Sequence, residues 1–298
     1  MHTSEIAEPV YVFVSFDLNN FTALKRENPR WHHVIWAIWG ALEDSKHGLE
    51  FWKFNGDEFL FCKKVSNMVG IMHLIEKSWD FMLDMETAAQ KVLKREGFYV
   101  KATAWLASVI ECNPSLEENA DFDAPNYMFY THRERTRTPT KDFVGVSIDE
   151  GFRMSSVASP ENLLVCPEIA MMFHGLSMVL QGSSDSIGDY IDEQKVSRFI
   201  NSCKKFAGTN QKLLNHRILL FTEKLVLFEL RRLKGVWKGS PYPITRFLGF
   251  GAKNKNDICA LNIIKNRFEE SGTSENLYRL MNLISIDEPE FRNISIRT

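Results

Sequence analysis

VYVFVSFD, at Val10–Asp17, is the segment around which we expect the sheet to be built. Apolar, β-branched and aromatic residues occupy both sets of alternating positions in Val10–Phe16, as in a strand buried in the middle of a sheet. The apolar run ends at Asp17, before the turn residues Asn19 and Asn20 and a short helical segment. This pattern places a carboxylate at the C-terminal end of a buried strand.

A β-hairpin is predicted further along the chain. The strand-like segments Leu49–Phe54 and Glu58–Lys63 flank Asn55-Gly56-Asp57. Asn-Gly between two apolar segments is a strong turn signal. The hairpin tip therefore presents a second aspartate, Asp57.

The remaining elements complete a βαββαβ order. Helices are predicted over Arg30–Lys46, from a Ser66 cap to about Arg95, over Ile148–Val157 and over Pro167–Phe173, and strands over Phe98–Ile110, Tyr127–Tyr130, Asp142–Gly145, Asn162–Val165 and within Arg217–Leu233. This order predicts an α+β fold, a ferredoxin-like antiparallel sheet with helices on one face. The Ser/Gly-rich segment Gly182–Gly188 marks the expected boundary between a first domain, residues 1–182, and a C-terminal α/β extension, residues 183–298, packed on it.

Composition and charge exclude several classes of protein. The 298 residues are 44% apolar and 25% charged, as in globular proteins rather than disordered or fibrous ones. A net charge of −2 gives no general attraction for nucleic acid or anionic membrane. Five separated cysteines without a CxxC pair argue against a disulfide framework, and no apolar run reaches transmembrane length. We therefore expect a cytoplasmic protein that binds neither nucleic acid nor membrane.

Asp17 and Asp57 are candidates for a common metal site. In a βαββ unit the first strand lies beside the hairpin, so both carboxylates can reach one point. Close carboxylates raise each other's pKa unless a cation lies between them, and oxygen ligands suit Mg²⁺ or Mn²⁺. The backbone amides of Leu18–Thr22, at a helix start, would bind an anion. Together these features indicate a nucleoside triphosphate site; the local alternative is that Asp17 caps a helix and Asp57 forms a turn.

Three motifs resemble those of class III nucleotidyl cyclases. The first is SFDLNNFT at Ser15–Thr22, which resembles the family's D-x-x-x-F-T segment. The second is WKFNGDEF at Trp52–Phe59, which resembles its K-x-x-G-D hairpin. The third is DFVGVSIDEGFRM at Asp142–Met154, which resembles its D-x-x-G-x-x-V-N-x-A-x-R stretch. The resemblance spans about residues 10–175 and has the three motifs in the family's order.

The resemblance implies a role for each matched position. It implies that Asp17, Leu18 and Asp57 bind two Mn²⁺ or Mg²⁺ ions per site, and that Asn19, Asn20, Phe21 and Thr22 bind the phosphates. It also implies that Lys53 and Asp142 recognise the base and that Arg153 and Asp149 are catalytic. In the family the metal aspartates come from one subunit, and the base-reading and arginine positions from the other. The resemblance therefore implies a homodimer with composite active sites that bind a nucleoside triphosphate.

Two positions depart from the family pattern. Asp149 stands where the family has a ribose-orienting asparagine, and it adds negative charge near the expected triphosphate. The motif that carries the family's phosphate-binding lysine is not identifiable in this chain. Lys101, Lys195 and Lys212 all remain candidates for that role. Without such a cation, charge in the transition state is less fully balanced and turnover should be slower.

The DFVG…IDxGFR form of the third motif is similar to cyclases of the bacterial Pycsar anti-phage systems. This resemblance implies conversion of UTP, with CTP as the second candidate, to the cyclic monophosphate (cUMP or cCMP) and pyrophosphate as an antiviral signal, with a phage-derived activating ligand. A lysine and an aspartate satisfy the edges of adenine, cytosine and uracil alike. Bulky residues around the predicted site would exclude a purine, unless they are ordinary core residues: Trp52, Phe54, Trp105 and Phe143.

Three other functions compete with this one. Adenylate or guanylate cyclase activity is compatible with the same motifs. NGDEF at Asn55–Phe59 is one residue from the GGDEF signature of diguanylate cyclases, although Asn55 replaces a glycine and those enzymes lack the third motif. A catalytically inactive homologue that acts as a binding module is the third alternative, favoured by Asp149 and by the unidentified lysine. The role of residues 190–298 stays open.

Overall fold

The computed structural model of the chain describes residues 8–44, 48–94, 98–111, 125–131, 140–160, 162–180 and 225–247, together with positions 277, 279 and 280. Its helices are α1 (Phe21–Glu27), α2 (Trp31–Asp44), α3 (Met68–Leu93), α4 (Val146–Ser155) and α5 (Pro167–Leu180), with one 3₁₀ turn at Trp237–Gly239. Its strands are β1 (Val10–Leu18), β2 (Glu50–Asn55), β3 (Glu58–Val65), β4 (Val100–Ser108), β5 (Ile110–Glu111), β6 (Asn126–Thr131), β7 (Thr140–Gly145), β8 (Leu163–Val165), β9 (Leu225–Arg231) and β10 (Tyr242–Phe247).

The described strands form two sheets. The larger has the order β2-β3-β1-β4-β8-β10-β9, and the smaller has the order β5-β6-β7. Every neighbouring pair in the larger sheet is antiparallel except β4 and β8. The first four strands have the ferredoxin-like arrangement, and the predicted α+β class with a mostly antiparallel sheet is confirmed.

β1 is the centre of the larger sheet, as its apolar pattern predicts. It pairs with β3 on one side and β4 on the other, and all its residues are buried except Asp17. On one face Phe16 contacts Phe81 of α3, with ring centroids 5.0 Å apart. On the other face Phe13 stacks on Trp105 at 5.6 Å, and Trp105 contacts Phe152 of α4. Successive strand residues alternate in direction, so α4 covers the face opposite to α3, which the helices-on-one-face prediction did not include.

Several boundaries differ from the sequence predictions. Asn67, not Ser66, is the N-cap of α3, because its side chain accepts a hydrogen bond from the amide of Gly70 at 2.6 Å. α5 continues to Leu180, beyond the predicted end at Phe173. The strand β10 was not predicted, and it joins β9 to β8. The predicted domain boundary near residue 182 lies outside the described residues, and so do Lys195 and Lys212.

No helix within the described ranges combines the length and the apolar character needed to span a membrane.

Candidate active site

Asp17 and Asp57 lie at the same end of the sheet. Asp17 pairs across the ladder with Glu58, the first residue of β3. Asp57 directly precedes Glu58, in the turn that joins β2 to β3. Gly56 has a φ of +69° and Asp57 does not have a positive φ, as in a type II′ turn with glycine at its first central position. The central pair of the turn is therefore Gly56-Asp57 rather than Asn-Gly.

Lys101 places a cation at this end of the sheet. It lies opposite Asp17 on β4, and its Nζ is 3.1 Å from Asp17 Oδ2. The two side chains are 26% and 33% exposed, so the ion pair is partly shielded from water. Among the described residues, the carboxylate of Asp57 has no hydrogen bond or ion pair. Of the two aspartates at this end of the sheet, Asp17 is therefore paired with a cation and Asp57 is not.

The segment Leu18–Thr22 departs in part from its predicted role in anion binding. Leu18 continues the β1–β4 ladder, and the amide of Asn19 donates to the carbonyl of Tyr99 at 3.0 Å. The Asn19 amide is therefore not available to a phosphate, because a backbone N–H supplies one donor. Asn20 has a φ of +59° and begins α1, and the side chain of Phe21 is buried. Thr22 is exposed.

Lys53 and Asp142, the predicted base-reading residues, are in contact. Lys53 Nζ lies 2.6 Å from Asp142 Oδ1, and it lies 4.4 Å from the ring centroid of Trp52. A β-bulge makes this possible, because the register of β2 on β3 shifts between Phe51 and Lys53. Phe51 packs towards Phe61, whereas Trp52 and Lys53 both turn to the face of Asp142.

An aromatic cluster lies next to the Lys53–Asp142 pair. Trp52 and Phe143 make an edge-to-face contact at 5.0 Å, and Phe13 lies 4.9 Å from Phe143 and 5.5 Å from Trp52. Trp105 is 2% exposed and Phe143 is 3% exposed, so both are core residues as well as neighbours of the site. Phe54 is 47% exposed and contacts Phe59 instead, outside this cluster.

Helix α4 carries Asp149 and Arg153, and both side chains are exposed. The helix begins where the side chain of Asn126 accepts from the amide of Ser147 at 2.9 Å and donates to the carbonyl of Ser108 at 3.0 Å. Gly145 precedes the helix with a φ of +145°, and a Cβ there would lie 2.3 Å from the carbonyl oxygen of Pro125. Only glycine fits at this position. Within the described ranges, neither Asp149 nor Arg153 is hydrogen-bonded or ion-paired to the predicted metal or base residues.

Glu58 connects three parts of the site. Its Oε1 accepts hydrogen bonds from Ser15 Oγ on β1 and from Ser155 Oγ on α4, the latter at 3.0 Å. Its Oε2 accepts from Asn55 Nδ2 of the hairpin at 3.1 Å. The carboxylate therefore bridges the strand of Asp17, the turn of Asp57 and the helix of Arg153.

Glu150, next to Asp149 on α4, is a further acidic residue of this helix. Burial, with a smaller contribution from the nearby Glu168, raises the pKa of Glu150 to about 8. This carboxyl therefore keeps its proton at neutral pH in the folded protein. It lies on the packing side of the helix, whereas Asp149 is exposed.

Sequence reasoning missed four features of this site: the role of Asn126 at the start of α4, the bridging role of Glu58, the contact of Lys101 with Asp17, and the bulge at Trp52. Asn126 had no local sequence signal, because it lies 21 positions from Ser147, whose amide donates to its side chain. Glu58 belongs to the second motif, but the motif does not predict its hydrogen bonds. No group of three or more His, Cys, Asp or Glu side chains arranged to hold a metal occurs in the part of the chain that the structure describes.

Comparison with known proteins gives a likeness at the level of solved structures. No family model matches the chain, and no curated protein matches it. The chain is similar to the guanylyl cyclase Cya2, with a TM-score of 0.47 and 14% identity over 83% of this chain and 95% of that one. It is similar to the adenylyl cyclase CyaB from P. aeruginosa, with a TM-score of 0.49 and 9% identity over 83% and 97%. It is also similar to the guanylate cyclase domain of RhGC from Catenaria anguillulae in complex with GTP, with a TM-score of 0.41 and 12% identity over 82% and 98%.

Proposed function

We propose that the chain is a nucleotidyl cyclase. It would convert a pyrimidine nucleoside triphosphate, UTP in preference to CTP, to the 3′,5′-cyclic monophosphate and pyrophosphate. The observation that carries this proposal is that Asp17 pairs across the ladder with Glu58, the residue that follows Asp57, so that both aspartates lie at one end of the sheet. The three motifs that resemble class III cyclases support it independently of the structure.

The residues present fit a pair of divalent ions. Mg²⁺ and Mn²⁺ are usually held by one or two carboxylates together with substrate phosphates, so a third protein carboxylate is not needed. Asp17 and Asp57 would hold the ions, with Leu18 beside Asp17. Such ions, when bound, lower the pKa of the ribose 3′-hydroxyl and neutralise the phosphates. Lys101, already 3.1 Å from Asp17, is the lysine we assign to the triphosphate among the three candidates.

The other side chains would bind and orient the nucleotide. Lys53 would donate and Asp142 would accept a hydrogen bond along the edge of the base. Their ion pair would keep both side chains in position before the base binds. Arg153 is exposed on α4 and would stabilise charge on the α-phosphate of a site in the partner subunit, as the motif resemblance implies. Asp149, four residues earlier on the same helix, would contact the ribose. The active unit would be a homodimer with composite sites.

The preference for a pyrimidine rests on the aromatic cluster. Trp52 lies 4.4 Å from Lys53 Nζ and packs edge to face on Phe143, the residue after Asp142, and Trp105 stacks on Phe13 of the same cluster. Rings packed edge to face leave less room for the second ring of a purine. A single-ring base is the substrate class that fits these contacts best.

Incubation of the purified protein with ATP, GTP, CTP and UTP separately, each with Mn²⁺, followed by mass analysis of the products, tests the proposal. We expect cUMP as the main product. Cyclic AMP or cyclic GMP would identify a purine cyclase instead, a dinucleotide from GTP would identify a diguanylate cyclase, and nucleotide binding without pyrophosphate release would identify a binding module.

Asp57→Ala should abolish product formation and leave the dimer intact. Asp80→Ala is the matched control, because Asp80 lies on the surface of α3 in an ion pair with Lys77 and far along the chain from the motifs. Retention of most activity by Asp57→Ala would contradict this metal site.

The motif resemblance also leads us to propose an anti-phage role in the cytoplasm, with a phage-derived ligand that activates the enzyme. Low activity of the purified protein that rises when lysate of infected cells is added would support this role. Full activity of the protein alone would contradict the need for an activator.

A further inference from the structure

The carboxylate of Glu58 joins three elements of the fold through side-chain hydrogen bonds. Glu58 accepts from Ser15, Ser155 and Asn55, which lie on three different elements. Ser15 is 1% exposed and lies in the otherwise apolar segment Val10–Phe16 of β1. A buried hydroxyl and a carboxylate add little net stability compared with apolar side chains of the same size. Their contribution is to fix relative positions, because hydrogen bonds to a charged group hold their partners in a defined geometry.

Each of these contacts lies next to a residue of the proposed site. Ser15 is two residues before Asp17 on the same face of β1, and Asn55 is two residues before Asp57. Ser155 is two residues after Arg153, in the last turn of α4. Glu58 forms no ion pair with a described residue, so its partners are hydroxyl and amide groups. A shift of the metal-binding turn would therefore displace the end of α4.

We propose that Glu58 is a positioning residue that ties the metal-binding turn to the end of the helix carrying Arg153. This inference rests on the proposed function. Asp57 and Arg153 of one chain would serve different sites of the dimer. Glu58 therefore links the two sites: metal binding at one of them orders the arginine of the other.

Ser155→Ala is the sharpest test, because it removes the bond between Glu58 and α4, together with the 3.4 Å contact between Ser155 Oγ and Ser15 Oγ, and leaves the bonds of Glu58 to Ser15 and Asn55 in place. Ser155 is half-buried, so the change should be tolerated by the fold. The matched control is Ser78→Ala, which removes a buried hydroxyl on α3 whose hydrogen bond goes to Leu74 of its own helix, at 2.6 Å. Ser155→Thr keeps a hydroxyl at the position and should restore the wild-type behaviour.

Hydrogen–deuterium exchange, with and without Mn²⁺, measures the coupling between the turn around Asp57 and the end of α4 and does not depend on catalysis. In the wild type and in Ser78→Ala, Mn²⁺ should slow exchange both at the turn around Asp57 and at the end of α4. In Ser155→Ala the turn should still be protected by Mn²⁺, while the end of α4 should not respond. Activity should show a matching split: kcat about tenfold lower, and the KM for nucleotide within about twofold, because Lys53 and Asp142 are untouched.

The possible failures are distinguishable. If Mn²⁺ protects the turn but Ser155→Ala responds like Ser78→Ala, the positioning role of Glu58 is wrong and the metal site stands. If Mn²⁺ protects neither segment of the wild type and no cyclic nucleotide forms, the proposed function fails and the positioning role fails with it.

Discussion

Replacing Asn126 by alanine should separate the start of α4 from the sheet. The Asn126 side chain is 1% exposed. It accepts from the amide of Ser147 at 2.9 Å and donates to the Ser108 carbonyl at 3.0 Å and to Ser147 Oγ at 3.2 Å. Gly145, the N-cap residue of α4, offers no side chain to replace these bonds. The asparagine therefore acts as the cap of this helix from a neighbouring strand.

The expected cost follows from the groups that alanine leaves without partners. Ser147 is 8% exposed and Ser108 is 2% exposed, so water has little access to the abandoned amide and carbonyl. A buried backbone group that loses its partner costs about 1–3 kcal/mol. With two such groups, we expect Asn126→Ala to lower the free energy of unfolding by about 3 kcal/mol. Catalysis should fall as well, because α4 carries Asp149 and Arg153.

Asn162→Ala is the matched control for a urea-denaturation experiment. Asn162 also has three side-chain hydrogen bonds: to Ser159, to the carbonyl of Pro160 and from Arg246. It is only half-buried, so water can replace its partners, and we expect a loss below about 1 kcal/mol. Equal losses for the two variants, or an Asn126→Ala protein as stable as the wild type, would refute the capping role.

Three further changes test other parts of the structure. Gly151→Ala would place a Cβ 2.2 Å from the Trp105 ring, so it should displace α4 and lower both activity and melting temperature. The loss of stability caused by Gly151→Ala should be smaller when it is measured in a Trp105→Ala background, and an equal loss in both backgrounds would contradict a clash with this ring. Lys53→Met should abolish activity and lower the free energy of unfolding by less than about 1 kcal/mol, because the pair with Asp142 is about 40% exposed; a large loss in a denaturation curve would show a structural role instead. Because the pKa of Glu150 is raised to about 8, the folded protein holds a proton that the unfolded chain releases, and the resulting stabilisation is complete at low pH and is lost as the pH rises towards 8. Relative to the wild type, Glu150→Gln should therefore melt at a higher temperature at about pH 9 and show no such advantage at about pH 4. A difference in melting temperature that does not depend on pH would contradict this.

Much of the fold could be predicted because its signals are local. The buried strand β1 follows from a continuous apolar run, the hairpin from a turn dipeptide between two apolar segments, and the long helix α3 from apolar residues three and four positions apart. The antiparallel sheet then follows from the order of these elements. The strand β10 escaped prediction because its six residues include Pro243 and carry no clear alternation.

The candidate site was predicted less completely, because only some of its signals are local. Polar residues at strand ends and turns, such as Asp17 and Asp57, are visible as local exceptions in an apolar pattern. Lys53 was assigned by its motif alone, because strict alternation along β2 would place it on the face of Phe51. The bulge at Trp52 reverses that placement, and a bulge depends on how β2 pairs with β3.

The amino-acid sequence by itself determined which segments are strands and helices and which carboxylates lie at their ends, because these depend on neighbours a few positions away. Only the tertiary structure decided which side chains meet. Lys101 and Asp17 are 84 positions apart, and Ser155 and Glu58 are 97 apart. Such contacts form when the sheet closes, since they depend on strand register and on which face a helix covers, and neither is written in any short stretch of the chain.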